Sequence, residues 1–277
     1  MTLQEALHQG TLLLEEGRVS APRLTAEVLL SFAIGCRREW LYAHSTDELR
    51  EVWWIHYGRY LHERLKGKPT QYITHVQEFY GRDFRVSEAV LIPRPETEHL
   101  VEAALSRLSG GSLIDVGTGS GAIAVTLALE SAARVYASDL SRDALLVARS
   151  NASALGASVR FLQADLLEGV GAASMEMVVS NPPYIPLPER EGLPVEVREY
   201  EPHLALFGGE DGLANYRRLI GQAAVVLKPD GWLVMELAFN GSPGVAALLE
   251  QSGVWSSMEV IPDLAGYPRV MAARVTT

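Results

Sequence analysis

The amino-acid sequence predicts an α/β protein in which a largely parallel sheet follows a small helical module and a β-hairpin. Residues 1–70 repeat apolar side chains at helical intervals, with no strand between them. From residue 112 onward, short apolar runs alternate with helical patterns, which is typical of helices that cover a parallel sheet. A stretch of strand-like alternation around Gly81 joins the two parts.

Composition narrows the class of protein. The 277 residues are 48% hydrophobic, enough for one large domain or two modest ones. A net charge of −10 argues against a protein that holds nucleic acid mainly through its phosphates. The single cysteine, Cys36, excludes an intrachain disulfide and a cysteine-based metal cluster. With no signal-peptide pattern or long apolar run, we expect a cytoplasmic protein with no membrane contact. We also expect a monomer with no bound metal and no direct nucleic acid partner.

Three amphipathic helices are predicted in the N-terminal module. The first covers residues 1–17 and opens with Thr2 and Glu5 in capping-box spacing. The second covers residues 20–35, and the third, longer one begins at Ser45 or Thr46 and ends before Gly67. The predicted apolar face of the second helix consists of Leu24, Val28, Leu29 and Phe32.

A β-hairpin is predicted between the two parts. The alternating stretch 78–86 supplies its strands, and the apolar run 90–92 is expected to resume them. A helix with apolar residues from Leu100 to Leu108 follows. The next predicted strands cover residues 113–116, 134–138, 159–162, 175–179, 231–237, 258–261 and 270–275. The helices among them cover residues 122–129, 141–155, 213–227 and 245–250.

Polar motifs follow the predicted strands, where ligands of parallel sheets bind. After the first strand comes Gly117-Thr118-Gly119-Ser120-Gly121, whose glycines let the backbone approach a ligand closely. The second strand ends at Asp139, where a carboxylate can accept hydrogen bonds from ribose hydroxyls. The loop and Asp139 are together consistent with either an adenine dinucleotide or S-adenosylmethionine.

Two further strand ends favour S-adenosylmethionine. Asp165 and Leu166 follow the third strand, where they can contact an adenine edge and pack against its ring. The fourth strand ends in Asn181-Pro182-Pro183-Tyr184. Motifs after four successive strands form the pattern of an S-adenosylmethionine site. Taken alone, Asp139 or Asp165 is equally consistent with a helix N-cap or a solvated turn.

The motif at residues 181–184 indicates the chemistry of the second substrate. Two consecutive prolines end the strand because they lack backbone donors. The side-chain carbonyl of Asn181 and a prolyl carbonyl can accept two N–H bonds from a planar amide or amino group, while the ring of Tyr184 covers one face. Asn181, Pro182 and Tyr184 are therefore the predicted catalytic residues, and Pro183 joins them as a substrate contact.

Motifs outside the strand ends complete a family pattern. The most specific is Ile92-Pro93-Arg94-Pro95-Glu96-Thr97-Glu98. Others are Gln71-Tyr72-Ile73, Glu78-Phe79-Tyr80-Gly81, Glu201-Pro202, Ala205-Leu206, Gly208-Gly209, Asp211-Gly212-Leu213, Asp263-Leu264, Gly266 and Arg269. Over essentially its whole length the chain resembles the protein-(glutamine) methyltransferases of peptide chain release factors, called HemK or PrmC. His75 departs from the glycine usual in that family, at a connector turn.

The resemblance implies a fold and a domain organisation. The fold is that of a class I S-adenosylmethionine-dependent methyltransferase, with a Rossmann-like seven-stranded sheet whose last strands include an antiparallel pair. Residues 1–75 would form a helical substrate-docking domain, residues 76–95 a β-hairpin linker, and residues 96–277 the methyltransferase domain.

The resemblance also implies a reaction. The substrate is the glutamine of a Gly-Gly-Gln tripeptide in class I peptide chain release factors, and the cofactor product is S-adenosyl-L-homocysteine. The predicted cofactor contacts are Gly117, Thr118, Gly119, Ser120, Gly121, Asp139, Asp165, Leu166 and Asn181.

Two other functions fit parts of the pattern. An adenine-N6 or guanine-N2 methyltransferase would present the same planar amino group to residues 181–184, after base flipping if the substrate is duplex. The acidic charge and the motif at residues 92–98 argue against it. A non-catalytic adaptor that binds S-adenosylmethionine would require a broken acceptor motif, and here the motif is intact.

Overall fold

Helices and strands alternate along the sheet-forming part of the chain as the sequence patterns predict. The structure, a computed structural model, describes residues 1–276. Its helices are α1 (Leu3–Glu16), α2 (Pro22–Ile34), α3 (Arg38–Ala43), α4 (Glu51–Leu65), α5 (Thr70–Thr74), α6 (Glu98–Leu105), α7 (Ala122–Glu130), α8 (Arg142–Leu155), α9 (Val195–Tyr200), α10 (Ala214–Val226) and α11 (Ser242–Ser252). Its strands are β1 (Val76–Phe79), β2 (Arg82–Arg85), β3 (Ser112–Val116), β4 (Arg134–Asp139), β5 (Val159–Gln163), β6 (Met175–Ser180), β7 (Leu227–Glu236), β8 (Trp255–Pro262) and β9 (Pro268–Val275).

The first of two structural units is helical. It comprises Met1–Val76 together with the distant segment Pro194–Tyr200, which contains α9. Arg64 Nη2 lies 2.5 Å from Glu196 Oε2, and the Tyr200 hydroxyl donates to the carbonyl of Lys66 at 3.2 Å. The sequence patterns did not predict that residues 194–200 belong to this unit.

The predicted capping box of α1 is confirmed, whereas the start of the third predicted helix is wrong. Thr2 Oγ1 accepts from the backbone N–H of Glu5, and the Glu5 carboxylate accepts from the N–H of Thr2. The helix expected from Ser45 or Thr46 begins only at Glu51, as α4. The residues before Glu51 pair with the N-terminus instead. Leu49 N–H donates to the carbonyl of Met1, and Thr2 and Glu48 form an isolated antiparallel β-bridge.

The buried face of α2 also differs from the predicted one. Leu24 is 45% exposed and Phe32 is 39% exposed, although both were expected to be buried. Leu29 is buried as predicted, but its buried companions are Ala26 and Leu30, because α2 packs against both α1 and α4 and so buries a shifted face. The short helices α3 and α5 were not predicted, since five or six residues carry too little periodicity.

The second unit contains the seven-stranded sheet, in the order β5-β4-β3-β6-β7-β9-β8. Strands β3 to β7 pair parallel with one another, and β9 pairs antiparallel with both β7 and β8. This confirms the predicted class I fold with its antiparallel pair. Every residue of the central strand β3 is buried, between apolar clusters on the two sheet faces.

The predicted hairpin forms from β1 and β2, but residues 90–92 do not continue it. Val90 N–H donates to the carbonyl of Ser87 at 3.0 Å, so the chain turns there and is not extended. Within residues 1–276, no helix is long and apolar enough to cross a membrane. The same residues contain no cluster of three or more His, Cys, Asp or Glu side chains suited to hold a metal ion.

Candidate active site

The candidate site is a cavity at the carboxyl ends of β3, β4, β5 and β6. A parallel sheet brings these ends to one edge, so motifs far apart in sequence meet there. Of the predicted site residues, those in the cavity wall are Gly117, Gly119, Asp139, Asp165, Leu166, Asn181 and Pro183. Predicted residues outside the wall are Thr118, Ser120, Gly121, Pro182 and Tyr184.

The loop after β3 is shaped by glycine conformations. Gly117 has φ +72° and Gly119 has φ +55°, both in the left-handed region that glycine adopts without strain. A Cβ at either position would meet no atom within 4 Å, so open space lies directly beside the backbone. The site therefore fits a cofactor that approaches the main chain closely, as the sequence predicts for S-adenosylmethionine.

Asp139 holds this loop in place. Its Oδ2 accepts from Gly119 N–H at 2.9 Å, and its Oδ1 accepts from Ser141 N–H at 2.8 Å. Burial raises the pKa of the Asp139 carboxyl, while these backbone donors act against that shift. Each carboxylate oxygen has a second lone pair, so Asp139 can position the loop and still accept from a ribose hydroxyl.

The other residues of the glycine loop stabilise it through contacts with neighbouring segments. The Thr118 hydroxyl donates to Asp115 Oδ2 at 2.6 Å, and burial raises the pKa of Asp115 to about 7. The carbonyl of Ser120 accepts from Asn151 Nδ2 at 2.8 Å. Gly121, at φ +82°, lies immediately before α7 and approaches the backbone of α8. Direct cofactor contacts by Thr118, Ser120 and Gly121 stay a prediction.

Asp165 and Leu166 line the cavity after β5. Asp165 Oδ2 lies 2.8 Å from Arg218 Nη2 on α10, so one of its oxygens is already committed to an ion pair. The other oxygen can still accept from an adenine amino group. The carbonyl of Leu166 accepts from the Ser138 hydroxyl at 2.9 Å, which ties this turn to the end of β4.

The Asn181-Pro182-Pro183-Tyr184 loop follows β6 at the same edge. Asn181 Nδ2 donates to Thr97 Oγ1 at 3.3 Å, which leaves its carbonyl oxygen to face a substrate. The carbonyl of Pro183 accepts from Asn215 Nδ2 at 3.0 Å. No donor within residues 1–276 bonds to the carbonyl of Pro182, so that carbonyl is left free to accept, whereas Pro183 is the proline that lies in the cavity wall.

Tyr184 completes this loop from the apolar side. Its ring packs against the cluster beneath α10, and burial raises the pKa of its phenol to about 12. The phenol therefore stays protonated at neutral pH. The next residue, Ile185, donates its N–H to the carbonyl of Leu206 at 2.9 Å, which fixes the end of the loop.

Several wall residues carried no predicted role. Pro202 and Ala205 belong to matching family motifs, but those motifs suggested no contact. Asn215 and Arg218 lie three positions apart on α10 and so share one helix face, a spacing that alone does not distinguish them from surface residues. The partners of Asn215 and Arg218 lie more than 30 positions away, beyond any local pattern.

Comparison with solved structures identifies the fold. A methyltransferase from Pyrococcus furiosus superposes with a TM-score of 0.54, covering 72% of this chain and 91% of that chain. At 18% identity, this likeness concerns the fold alone. Together with the cavity, the fold is that of a class I S-adenosylmethionine-dependent methyltransferase.

Sequence comparison defines the family within that class. A model of the PrmC N-terminal domain matches residues 5–74, and a model of the methyltransferase small domain matches residues 95–189. The release factor glutamine methyltransferase of Koribacter versatilis is 43% identical over 282 residues, covering 100% of both chains. That of Moorella thermoacetica is 44% identical, covering 99% of this chain and 98% of its own. The chain belongs to the release factor glutamine methyltransferase family.

Proposed function

We propose that this protein methylates the side-chain amide nitrogen of the glutamine in the Gly-Gly-Gln motif of class I peptide chain release factors, using S-adenosylmethionine. The observation that carries the proposal is the Asn181 side chain in the cavity wall, whose carbonyl oxygen is left free by the bond from its Nδ2 to Thr97. The carbonyl of Pro182, the next residue of the loop, is the proposed second acceptor. Two acceptors at one site match the two N–H bonds of a primary amide.

The proposed mechanism addresses a weak nucleophile. An amide nitrogen is unreactive because its lone pair is delocalised into the carbonyl. Asn181 and Pro182 accept the two amide hydrogens, hold the nitrogen in line and increase its electron density. Positioning of this kind can supply several kcal/mol of the activation barrier, about 7 kcal/mol or more in the best oriented systems.

The cofactor supplies a methyl group on a sulfonium sulfur, which departs with the bonding electron pair as S-adenosylhomocysteine. The amide nitrogen forms the new bond to carbon and then loses one proton. Tyr184 is a protonated phenol and does not act as a base. Because the methylated amide is strongly acidic before it loses its proton, water can accept that proton and no buried base is required.

The assignment is tested by incubating the protein with labelled S-adenosylmethionine and either purified release factor or tRNA. We expect label in release factor only, and fragmentation of the peptide should place a single methyl group on the amide of the Gly-Gly-Gln glutamine. Label in tRNA alone would favour the nucleic acid methyltransferase. Label in neither substrate, with the cofactor bound, would support the non-catalytic adaptor.

We also propose that the helical unit docks the release factor. Val52 and Ile55 on α4 are 53% and 62% exposed, although both are apolar. Val52→Asp with Ile55→Asp should raise the KM for whole release factor and leave the KM for a short Gly-Gly-Gln peptide unchanged. Leu146→Asp on α8, at a residue 55% exposed, is the matched control. Equal KM values for whole release factor in the wild-type protein, the double variant and the Leu146→Asp control would contradict the docking role.

A monomeric state and a cytoplasmic location complete the proposal. Residues 181–184, here called the acceptor loop, contribute Asn181 and Pro183 to the cavity wall, which supports catalysis by a single chain. Sedimentation at micromolar concentration and fractionation of cells that produce the protein test these two predictions.

A further inference from the structure

The motif at residues 92–98 ends beside the acceptor loop. Thr97 closes a single 3-10 turn, Pro95–Thr97, and is 4% exposed. Its hydroxyl oxygen accepts from Asn181 Nδ2 at 3.3 Å, across 84 positions of sequence. The same hydroxyl also interacts with the carboxyl of Glu236, the last residue of β7. Burial raises the pKa of that carboxyl, and this interaction lowers it in part. Asn181, Thr97 and Glu236, from three different segments, thus form a chain of interacting polar side chains.

The direction of this chain decides what Asn181 presents to a substrate. A side-chain amide has an acceptor end and a donor end of similar shape. With Nδ2 bound to Thr97, the oxygen is the free end. An inverted amide would present its NH2 group to the NH2 group of a glutamine, and two donors cannot bond.

Glu236 sets the direction at the other end. A hydroxyl can donate or accept, so Thr97 alone does not distinguish the two ends of the amide. Burial raises the pKa of Glu236 to about 7, so the carboxyl is ionised above that pH. In its ionised form it only accepts hydrogen bonds. The Thr97 proton therefore lies toward Glu236, and the lone pairs of the Thr97 oxygen are left for Asn181 Nδ2.

A structural role alone does not explain a glutamate at position 236, because the side chain is buried and incompletely bonded. It is 1% exposed, and within residues 1–276 its Oε2 has no hydrogen-bond partner. The charged or titratable groups that face it are Arg269, Arg94, Glu96, Tyr184 and Tyr216. Both arginines are engaged elsewhere, Arg94 with Glu201 at 2.6 Å and Arg269 with Asp263 at 3.0 Å.

A buried carboxylate without its own cation lowers the free energy of unfolding, and such groups cluster at functional sites. We propose that Glu236 and Thr97 are positioning residues that orient the Asn181 amide, so that its oxygen meets the substrate nitrogen. This assignment rests on the proposed function. It gives the family motif at residues 92–98 a role in methyl transfer.

The test compares two substitutions at Thr97. Thr97→Val keeps the shape and removes the hydroxyl, whereas Thr97→Ser keeps the hydroxyl. Single-turnover methyl transfer to release factor should fall roughly 10- to 100-fold in Thr97→Val, since a misoriented contact loses its preorganisation. Thr97→Ser should stay within about threefold of wild type. Cofactor affinity and the KM for release factor should be unchanged in both variants.

A double substitution separates orientation from packing. In an Asn181→Ala background there is no amide to orient, so adding Thr97→Val should cause no further loss of rate. A purely structural role of Thr97 would instead multiply the two losses. Full multiplication, or a normal rate in Thr97→Val alone, would overturn the proposal.

Glu236→Gln gives a second route if Thr97→Val fails to fold. A glutamine can donate to Thr97 and so removes the fixed direction. Its transfer rate should fall about tenfold. The wild-type rate should rise with pH near neutrality as Glu236 ionises, and this rise should be absent in Glu236→Gln. An unchanged rate and pH profile would overturn the inference. If the wild-type protein places no methyl group on glutamine, the proposed function itself fails, which is a distinct result.

Discussion

Strands β3 and β6 are neighbours in the sheet, but the loops that follow them are built in different ways. The glycine loop is formed by main-chain conformation, with left-handed glycines beside open space. The Asn181 to Tyr184 loop is stiffened by prolines and held by side chains from other segments, namely Thr97 and Asn215. The first loop fits a large cofactor that approaches the main chain, and the proposed role of the second is to direct two acceptors at one nitrogen.

This difference predicts that binding and methyl transfer can be separated by substitution. Changes near the glycine loop should act mainly on the Kd for S-adenosylmethionine. Changes in the acceptor loop and its supports should act mainly on the rate of transfer. Variants that altered both quantities equally would show that the two loops work as a single unit.

The largest effect is expected for Asn181. Asn181→Ala removes the side-chain acceptor and keeps both prolines, so β6 and the cavity should survive. Loss of one preorganised contact to the reacting group typically lowers turnover by about 100- to 1,000-fold. Asn181→Asp still accepts but adds charge beside the cofactor and cannot donate to Thr97, so partial activity at most is expected. Single-turnover transfer to release factor measures both variants.

A smaller effect, on cofactor binding and not on the transfer rate, is expected for Asp139. Asp139→Ala removes a charged acceptor for ribose and releases the N–H groups of Gly119 and Ser141. The loss should be about 1.5–3 kcal/mol of cofactor binding free energy. Calorimetric titration with S-adenosylmethionine measures it. Unchanged affinity would remove Asp139 from the cofactor site.

Asn215 offers a milder test of the acceptor loop. Asn215→Leu keeps the helix and removes the bond to the Pro183 carbonyl, so the loop should be held less firmly. We expect the transfer rate to fall about fivefold to tenfold, corresponding to roughly 1 kcal/mol for one hydrogen bond. Because Asn215 also lines the cavity, Asn215→Asp and cofactor affinity are measured alongside as controls.

The smallest expected effect is a change in how the stability of the folded protein depends on pH. Burial raises the pKa of Asp115 to about 7, above its value in the unfolded chain. The folded state therefore binds the proton more tightly, and the stabilising effect is full at low pH and is lost as pH rises from about 4 to 7. Asp115→Asn should remove this slope. Thermal unfolding across that range should show the two Tm curves diverging as pH rises, and parallel curves would contradict the assignment.

Local patterns predicted the sheet and the position of the site, because strand ends, glycines and prolines carry their own conformational constraints. Asn181 and Asp139 were found in this way. The side chains that support the acceptor loop were not predicted, since Thr97 bonds to Asn181 across 84 positions of sequence and Asn215 bonds to Pro183 across 32. The start of α4 was misplaced for the same reason, because the pairing of Leu49 with Met1 is invisible to helical periodicity.

The separation of cofactor binding from methyl transfer is tested most directly by measuring both quantities on Asn181→Ala. Single-turnover methyl transfer to release factor gives the rate, and calorimetry gives the Kd for S-adenosylmethionine in the same preparation. The account predicts a rate lower by about 100-fold or more with a Kd within about threefold of wild type. Transfer at close to the normal rate would show that Asn181 does not orient the glutamine amide, and would contradict the mechanism even for a protein of this family.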